Sequence, residues 1–282
     1  MTALGVTGST GRLGGRVARL LAESGVEQRL LLRDPSRAPD LPGTTVAEMS
    51  YGDGASVEAA CRGLDVVWMV SASEDENRLA LHRTFVDAVA AAGVRHVVYT
   101  SFYGAAPDAT FTLARDHFHT EEHLKASGMQ WTMVRDNLYL DFLPYFAGED
   151  RVLRGPAGDG RVAAVSLDDI AASLHAVLLD PGAHTGATYS LTGPEALSLR
   201  EAAAIMTRET GEEYRYVEET LEEACASRAK YGAPDWQVEA WVSTYTAIAR
   251  GELADVTDDV RRLSGRSPIG LAELMRRNAV RR

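Results

Sequence analysis

The sequence predicts an α/β fold: a doubly wound parallel sheet of the Rossmann-like type, followed by a smaller, mostly helical C-terminal region. Over the first 135 residues, short apolar runs alternate with longer segments of helical period, as in sheets whose strands are joined by helices. Most of the runs lack polar positions, which is typical of strands covered on both faces. From residue 198 onward the chain reads as mainly helical and acid-rich.

The first part of the chain is expected to contain six strands and four helices. The strands are predicted at 4–8, 29–33, 45–49, 65–70, 95–101 and 131–135, and the helices at about 14–24, 56–62, 76–92 and 112–126. Glycine can adopt the left-handed conformation that ends a helix. The glycines expected to do so are Gly25, Gly63, Gly93 and Gly128.

The pattern changes after about residue 137. A short apolar helix is predicted over 138–146, and residues 162–180 are predicted to form a strand and then a helix capped by Ser166 with Asp169. A further strand is expected at 187–193. We interpret 1–150 as a dinucleotide-binding domain, to which 161–193 returns, and 194–282 as a helical region on the substrate side.

Charge and hydropathy exclude some classes of partner. A formal net charge of −11, with 40 acidic and 29 basic residues, argues against nucleic-acid binding, which needs a concentrated basic face. No stretch approaches the roughly 20 apolar residues that span a bilayer. No basic leader with a hydrophobic segment precedes the first strand. We therefore expect a cytoplasmic protein without membrane or nucleic-acid partners.

Metal sites and disulfides are not expected either. Cys61 and Cys225 lie far apart and lack the CxxC spacing of a metal or redox site. His119 and His123 would share one face of a helix, but no third ligand lies nearby. The sequence accordingly predicts no metal centre.

The run TGSTGRLG follows the first strand and opens the first helix. In that context the first glycine permits a sharp turn, the second lets a phosphate approach the backbone, and the third lets the helix pack closely. The helix N-terminus then binds the pyrophosphate of a dinucleotide. The alternative is a glycine-rich turn without a ligand. The predicted cofactor contacts are Thr7, Gly8, Ser9, Thr10, Gly11, Arg12, Leu13 and Gly14.

The end of the second strand indicates which dinucleotide binds. An acidic residue there would bind a ribose 2′-hydroxyl, whereas an arginine would accept a 2′-phosphate. Arg33 comes first after the apolar run, while Asp34 precedes Pro35 and is predicted to cap the next turn. Arg37 could contact the same phosphate. The pattern favours NADP over NAD; the alternative is that these arginines only solvate a surface.

Several motifs together carry a family resemblance. They are TGSTGRLG, LLRDPSRA, the YGD at 51–53, the VVYTS at 97–101, LARDHFHTEEHLKASG and VRDNLYLDF. With them the chain resembles the NmrA-like atypical short-chain dehydrogenases, most of all the bacterial NADPH quinone reductases and triphenylmethane reductases. The resemblance implies NADPH as cofactor and hydride transfer to a quinone or similar planar conjugated acceptor. Some NmrA-like proteins instead sense NADP(H) and regulate a partner without chemistry, and that alternative stays open.

The resemblance also implies positions for the site. Arg33 would take the 2′-phosphate and Asp53 would lie near the adenine, while Asn137 and Tyr139 would lie beside the nicotinamide. The residues implied to border the ribose and nicotinamide are Ser71, Ala72, Ser73, Thr100 and Ser101. The implied substrate is a small aromatic or quinone-like molecule, and the expected assembly is a monomer or homodimer.

One departure bears on the mechanism. Alcohol-oxidising relatives need a Tyr-x-x-x-Lys pair, but Lys125 follows Glu121 by four residues and Lys230 follows Ala226. Glu122 stands where quinone-reductase relatives carry a lysine. Hydride addition to a quinone or a carbocation does not require a dedicated acid, so binding and orientation can suffice.

The remaining candidates for catalysis are Tyr139, His117 and Asn137. His117 is the best candidate for an optional proton donor, with core packing as its alternative. Tyr139 and Phe142 are three residues apart and could provide a flat wall for an aromatic acceptor.

Overall fold

The computed structural model describes residues 3–280. Its strands are β1 (Leu4–Thr7), β2 (Gln28–Leu32), β3 (Thr44–Glu48), β4 (Val66–Val70), β5 (His96–Phe102), β6 (Gln130–Asp136), β7 (Val152–Gly155), β8 (Arg161–Val162), β9 (Thr188–Leu191), β10 (Leu197–Ser198) and β11 (Arg215–Glu218). Its helices are α1 (Arg12–Glu23), α2 (Gly54–Cys61), α3 (Arg78–Ala91), α4 (Thr112–Ala126), α5 (Leu143–Phe146), α6 (Leu167–Leu179), α7 (Leu199–Thr210), α8 (Leu221–Arg228), α9 (Asp235–Ala249), α10 (Asp259–Ser264) and α11 (Leu271–Val280).

A seven-stranded sheet in the order β3-β2-β1-β4-β5-β6-β9 forms the centre of the fold. β1 pairs in parallel with both β2 and β4, so Val6 lies opposite Leu30 on one side and Trp68 on the other. The chain runs outward from β1 to β2 and β3, then returns to form β4 on the opposite side of β1. The topological switch point, where open α/β sheets bind ligands, therefore lies between β1 and β4.

The predicted fold class is confirmed, and so are the elements of the first part of the chain. All six predicted strands are present within one residue of their expected ends, and the four helices within two. Their apolar composition has the expected cause, because all four residues of β1 and all seven of β5 are buried. The four glycines predicted to end helices all have positive φ, between 74° and 84°.

The chain divides into two compact units. The first consists of the described residues of Met1–Ala105, Asp116–Arg135 and Ile170–Tyr189, and the second of those of Ala106–Arg115, Asp136–Asp169 and Ser190–Arg282. The core of the first unit contains Trp68, Phe85 and Tyr99, each with no exposed surface. The roles expected for 1–150 and 194–282 concern ligands and stay predictions.

Several predicted elements after residue 137 differ from the structure. The strand expected at the start of 162–180 is only the two-residue β8, paired antiparallel with β10. The helix that follows is present as α6, and the Ser166 hydroxyl accepts a hydrogen bond from the Asp169 N–H at 3.1 Å, as predicted. The apolar helix expected over 138–146 is a 3₁₀ turn and the single turn of α5.

The pairing of β11 with β7 was not predicted. β11 lies in a region predicted to be mainly helical, yet it pairs in parallel with β7. Tyr216 is the buried residue of this four-residue strand, which is too short to show a period of two. A partner strand about 60 residues earlier in the chain, with Val152 opposite Arg215, stabilises the extended conformation over local helix propensity. Within residues 3–280, no helix combines the length and apolar character of a membrane span.

Candidate functional site

The glycine loop between β1 and α1 is a tight turn against which the helix packs directly. Gly8 has φ +66°, and its carbonyl accepts a hydrogen bond from the Gly11 N–H at 2.9 Å. A Cβ atom on Gly14 would lie 2.0 Å from the Gly8 carbonyl oxygen, so no larger residue fits there. At Gly11 the nearest atom to such a Cβ is the same oxygen, at 3.2 Å.

The loop presents donors that suit an anion. The first intrahelical hydrogen bond of α1 runs from the Gly15 N–H to the Gly11 carbonyl, so the N–H groups of the preceding turn, including those of Leu13 and Gly14, have no carbonyl partner within the helix. The Ser9 hydroxyl is buried, with 2% of the residue exposed, and has no hydrogen-bond partner among the described residues. Thr10 and Arg12 are exposed. A ligand phosphate would satisfy these donors.

The Thr7 hydroxyl, in the segment predicted to contact the cofactor, has partners within the sheet. Its hydroxyl donates to the Trp68 carbonyl at 3.1 Å and accepts from the Val70 N–H at 2.8 Å. The Tyr51 hydroxyl lies 3.1 Å from the same oxygen and 2.5 Å from the Val70 carbonyl. Because its hydroxyl is engaged in joining β1 to β4, Thr7 holds the glycine loop in place.

Two charged residues follow β2: Arg33, whose side chain is exposed, and Asp34, whose carboxylate is hydrogen-bonded to Ser36. Arg33 directly follows β2 and is exposed, and within residues 3–280 it makes no ion pair. Asp34 accepts hydrogen bonds from the Ser36 N–H at 3.0 Å and the Ser36 hydroxyl at 2.6 Å. These bonds hold the pKa of Asp34 below its ordinary value. The predicted cap is confirmed, and Arg37, also exposed, ends the same 3₁₀ turn.

The loops after β3 and β4 are also held by hydrogen bonds. The Asp53 carboxylate, predicted to lie near an adenine, caps α2 by accepting from the Ser56 N–H at 3.2 Å. In the segment Ser71–Ser73, the Ala72 N–H donates to His82 Nε2 at 2.9 Å and its carbonyl accepts from Arg78 Nε at 3.0 Å. The shape of this segment therefore depends on α3.

The two predicted residues of β5 have their hydroxyls directed to partners inside the first unit. Thr100 accepts a hydrogen bond from Trp68 Nε1 at 2.9 Å, and Ser101 donates to the Glu121 carboxylate at 2.6 Å. Glu121 is fully buried and paired with Arg135. The Ser101 hydroxyl, predicted to contact the cofactor, therefore already donates to a charged acceptor, the Glu121 carboxylate.

The proton-donor role expected for His117 conflicts with its surroundings. The residue is 6% exposed, and its Nε2 lies 2.9 Å from Arg78 Nη2. Since a guanidinium only donates, Nε2 accepts, and the proton of the neutral ring lies on Nδ1, 2.9 Å from the Tyr99 hydroxyl. Burial and the charge of Arg78 lower the pKa of His117 well below its ordinary value. A neutral ring with both nitrogens engaged is a poor acid, and the proton-donor role of His117 stays a prediction.

In the second unit, Asn137 is likewise engaged in structural contacts. It has no exposed surface, its Nδ2 donates to the Leu253 carbonyl at 3.0 Å, and its Oδ1 accepts from the Leu138 N–H at 2.7 Å. The catalytic and cofactor-binding roles predicted for its side chain would compete with both bonds. In this structure both bonds fix the chain that follows β6, and the predicted roles of Asn137 stay predictions.

Tyr139 retains partial exposure. Its hydroxyl donates to Asp136 Oδ2 at 2.9 Å, and its ring centroid lies 5.4 Å from that of Phe142. Phe142 in turn contacts Tyr145 and Phe146, which are 67% and 47% exposed. We call Tyr139, Phe142, Tyr145 and Phe146 the aromatic group.

The histidines and cysteines considered above do not form a metal site. His123 Nε2 lies 2.7 Å from Asp87 Oδ1, and the His119 ring packs edge-on against Phe118. Cys61 is buried and Cys225 exposed. Among residues 3–280, no cluster of three or more His, Cys, Asp or Glu side chains could hold a metal ion.

The geometry of the glycine loop and the strand order agree with a comparison against known families. A family model described as NAD(P)H-binding matches residues 8–181. The chain belongs to this NAD(P)H-binding family. The match begins at Gly8, the turn glycine of the loop, and includes the rest of the loop and the segment that follows β4.

Full-length relatives have the same character. The NAD(P)H azoreductase of Xenophilus azovorans is 32% identical, with 97% of each chain covered. The solved structure of the NADPH-dependent quinone oxidoreductase QOR2 of Escherichia coli, complexed with NADPH, is 30% identical, with a TM-score of 0.89 and coverage of 98% of this chain and 99% of that one. The triphenylmethane reductase of Citrobacter sp., solved with NADP(H), is 27% identical, with a TM-score of 0.86 and coverage of 98% and 99%.

These findings confirm the resemblance predicted from the sequence. The protein is an NAD(P)H-dependent oxidoreductase of the NAD(P)H-binding family. The sequence reasoning did not single out Arg78 and His82, which bind the peptide of Ala72 on both sides. Their spacing could have indicated a shared partner. Residues four positions apart at the start of α3 lie on one face of the helix, next to the preceding loop. Nothing in the sequence indicated that Ala72 would be their partner.

Proposed function

We propose that this protein is an NADPH-dependent reductase that transfers a hydride to a quinone or a similar planar conjugated acceptor. The observation that carries the cofactor preference is the contrast between two neighbours: Arg33 is exposed without an ion pair among residues 3–280, while the Asp34 carboxylate is committed to Ser36. A guanidinium suits a 2′-phosphate, whereas Oδ1 of the neighbouring Asp34 carboxylate already accepts two hydrogen bonds from Ser36.

The residues present fit the cofactor. The N–H groups of Leu13 and Gly14 would hold the pyrophosphate, together with the Ser9 hydroxyl, which has no hydrogen-bond partner within residues 3–280. The lack of a side chain at Gly11 lets the phosphate approach the backbone. Arg33, with Arg37 nearby, would hold the 2′-phosphate. When bound, NADPH supplies the hydride. The chain's own part is to bind the cofactor, orient it and exclude water.

The proposed acceptor class rests on the relatives and on the lack of a dedicated acid. The relatives described above are named for quinone, azo and triphenylmethane reduction. The chain has no Tyr-x-x-x-Lys pair, and His117 is buried and neutral. Lys125 Nζ lies 2.8 Å from the Glu122 carboxylate. An acceptor whose reduced form is stabilised by conjugation, and which water can protonate, suits such a site.

The aromatic group provides candidate contacts for a planar acceptor. Tyr139 and Phe142 are both half-buried, so each ring keeps an exposed surface while its neighbours fix its orientation. Aromatic rings in offset or tilted contact provide a large apolar area at low entropic cost. We assign these two side chains to acceptor binding.

Acceptor-dependent oxidation of NADPH tests the proposal. Purified protein should oxidise NADPH with at least one member of a panel of benzoquinones, naphthoquinones, azo dyes and triphenylmethane dyes, and should use NADH less well. A protein that binds NADP and NADPH equally tightly and oxidises NADPH with no panel member would be a cofactor-sensing regulator, and the reductase proposal would fail.

A further inference from the structure

The loop after β4 lies next to the glycine loop within the first unit. Val70 ends β4, and its Cβ lies 3.2 Å from the position that a Cβ on Gly8 would occupy. The Val70 N–H is bonded to the Thr7 hydroxyl. The segment Ser71–Ser73 therefore begins at the switch point between β1 and β4, where a dinucleotide crosses the sheet edge.

Topology decides which half of the cofactor meets this segment. The adenosine half lies on the β2 side, toward Arg33, and the pyrophosphate lies at the N-terminus of α1. The nicotinamide half must then extend to the opposite side of β1, which is the β4 side. The segment Ser71–Ser73 is the first backbone that it meets there.

Two side chains from the first turns of α3 hold the central peptide of this segment on both sides. His82 accepts from the Ala72 N–H at 2.9 Å and Arg78 donates from Nε to the Ala72 carbonyl at 3.0 Å. His82 is fully buried and Arg78 is 5% exposed. Few contacts could fix the orientation of one peptide plane more completely than an acceptor on its N–H and a cation on its carbonyl.

The direction of these hydrogen bonds is determined by chemistry. A backbone N–H can only donate, so His82 Nε2 carries no proton and the ring proton lies on Nδ1, 2.8 Å from the Thr120 hydroxyl. Thr120 in turn donates to the Asp116 carbonyl at 2.7 Å. Burial and the charge of Arg78 lower the pKa of His82 to about 3, so the ring stays in this form at neutral pH.

Arg78 is held as firmly as His82. Its Nη2 donates to His117 Nε2 at 2.9 Å, and its Nη1 lies 3.6 Å from Asp116 Oδ2. The His117 ring is fixed by the Tyr99 hydroxyl on its other side. The guanidinium therefore cannot turn away from the Ala72 carbonyl without breaking contacts to α4.

We propose that Arg78 and His82 are positioning residues, which hold the peptide of Ala72 so that Ser71–Ser73 forms the wall of the crevice that receives the nicotinamide half of the cofactor. This inference rests on the proposed function for its ligand. Neither side chain is assigned a contact with the cofactor, and both act through the loop.

The test compares two ligands and two substitutions at one position. His82→Leu removes the acceptor for Ala72, whereas His82→Gln keeps a carbonyl that can accept from Ala72 and an amide that can donate to Thr120. NADPH and adenosine 2′,5′-bisphosphate are titrated by calorimetry into each variant and into the wild type. The bisphosphate lacks the nicotinamide half and reports on the remainder of the site.

We expect His82→Leu to bind NADPH about tenfold more weakly, the equivalent of one lost hydrogen bond at the stronger end of its usual range. Adenosine 2′,5′-bisphosphate should bind within about twofold of wild type, because its contacts lie at β1 and β2. His82→Gln should restore most of the NADPH affinity. Thr120→Val, a smaller change that removes the partner of His82 Nδ1 together with the hydrogen bond from Thr120 to the Asp116 carbonyl, should weaken NADPH binding in the same selective manner.

The proposal is overturned if the leucine variant binds NADPH as the wild type does, or if both ligands lose affinity equally, since the second result would indicate general damage to the fold. Should His82→Leu fail to fold, Thr120→Val decides by the same two titrations. These measurements do not involve acceptor turnover, so a protein that binds NADPH but reduces nothing would refute the reductase proposal without affecting this one.

Discussion

The carboxylate of Glu121 and the guanidinium of Arg135 form a two-point ion pair inside the first unit, with Nε 2.8 Å from Oε1 and Nη2 2.6 Å from Oε2. The Glu121 side chain has no exposed surface and that of Arg135 is 23% exposed. The pair raises the pKa of Arg135. Ser101 donates to the same carboxylate, so one acid fixes the ends of both β5 and β6.

Removing the charge of Glu121 should therefore destabilise the fold. We expect Glu121→Gln to lower the free energy of unfolding by about 2 to 4 kcal/mol, because it leaves a guanidinium that is largely withdrawn from water without its counter-ion. Glu122→Gln is the matched control, since Glu122 is exposed and should change stability by less than about 0.5 kcal/mol. Urea unfolding of both variants measures the difference. Equal stability of the two variants would contradict the role assigned to the buried pair.

Substitutions at two glycines of the loop should have different effects, on stability at Gly14 and on NADPH binding at Gly11. A Cβ on Gly14 would collide with the backbone of Gly8, so Gly14→Ala should destabilise the fold by about 3 kcal/mol, at the upper end for overpacking. Gly11 has φ −86° and faces open space apart from the Gly8 carbonyl. Gly11→Val should abolish NADPH binding without unfolding the chain, with only a small fall in melting temperature, because its Cβ atom would lie 3.2 Å from the Gly8 carbonyl oxygen. Thermal unfolding and calorimetric titration check both statements, and NADPH binding by Gly11→Val would show that the loop has been misinterpreted.

Arg33 should determine the preference for the phosphorylated cofactor. Arg33→Ala should raise the Kd for NADPH about tenfold, through loss of a charge-assisted contact, and leave the Kd for NADH nearly unaffected. Arg19→Ala, at an exposed position of α1, is the control for a general loss of positive charge. An equal loss of affinity for both cofactors in Arg33→Ala would refute the assignment.

Stability should fall as the solution becomes acidic. The pKa values of His82, His96 and His117 are lowered from the ordinary value of 6.5, chiefly by burial. Below pH 6.5 the unfolded chain therefore binds protons that the folded chain does not, and the stability present above this pH is lost as the pH falls toward the folded-state values. Each such histidine contributes a slope of up to about 1.4 kcal/mol per pH unit.

Urea unfolding between pH 7 and pH 5 measures this slope. His82→Gln keeps the hydrogen bonds but cannot take up a proton, so its slope should be smaller than that of the wild type by about one histidine's contribution. The same slope in both proteins would mean that His82 is protonated in the folded state.

Two substitutions at Tyr139 distinguish a role of its ring in acceptor binding from a role of its hydroxyl in proton donation. If water protonates the product, Tyr139→Phe should keep kcat within about twofold of wild type with a quinone, because the ring remains in place. Tyr139→Ala should raise KM for the acceptor about tenfold through lost ring contact. A fall in kcat of about a hundredfold in Tyr139→Phe, with KM unchanged, would instead identify its hydroxyl as the general acid.

The features that sequence reasoning predicted well are local ones. The strands and helices up to residue 136 follow from hydrophobic periodicity, and the Asp34 cap follows from an acid placed directly before Pro35. The short β7, β8 and β11 were missed or overextended. These three strands have only two to four residues, and their extended form depends on a distant partner.

By itself the sequence determined the strands and helices of the Rossmann-like region, the glycine loop and Arg33 at the end of β2, because each depends on residues within about one helix length of one another. The tertiary structure alone decided what the buried polar side chains do. Asn137 meets the carbonyl of Leu253, 116 residues away, and His117 meets Arg78, 39 residues away. A buried polar group forms a hydrogen bond with whichever partner the folded chain brings within reach. Because that partner is distant in sequence, no local sequence pattern predicts it.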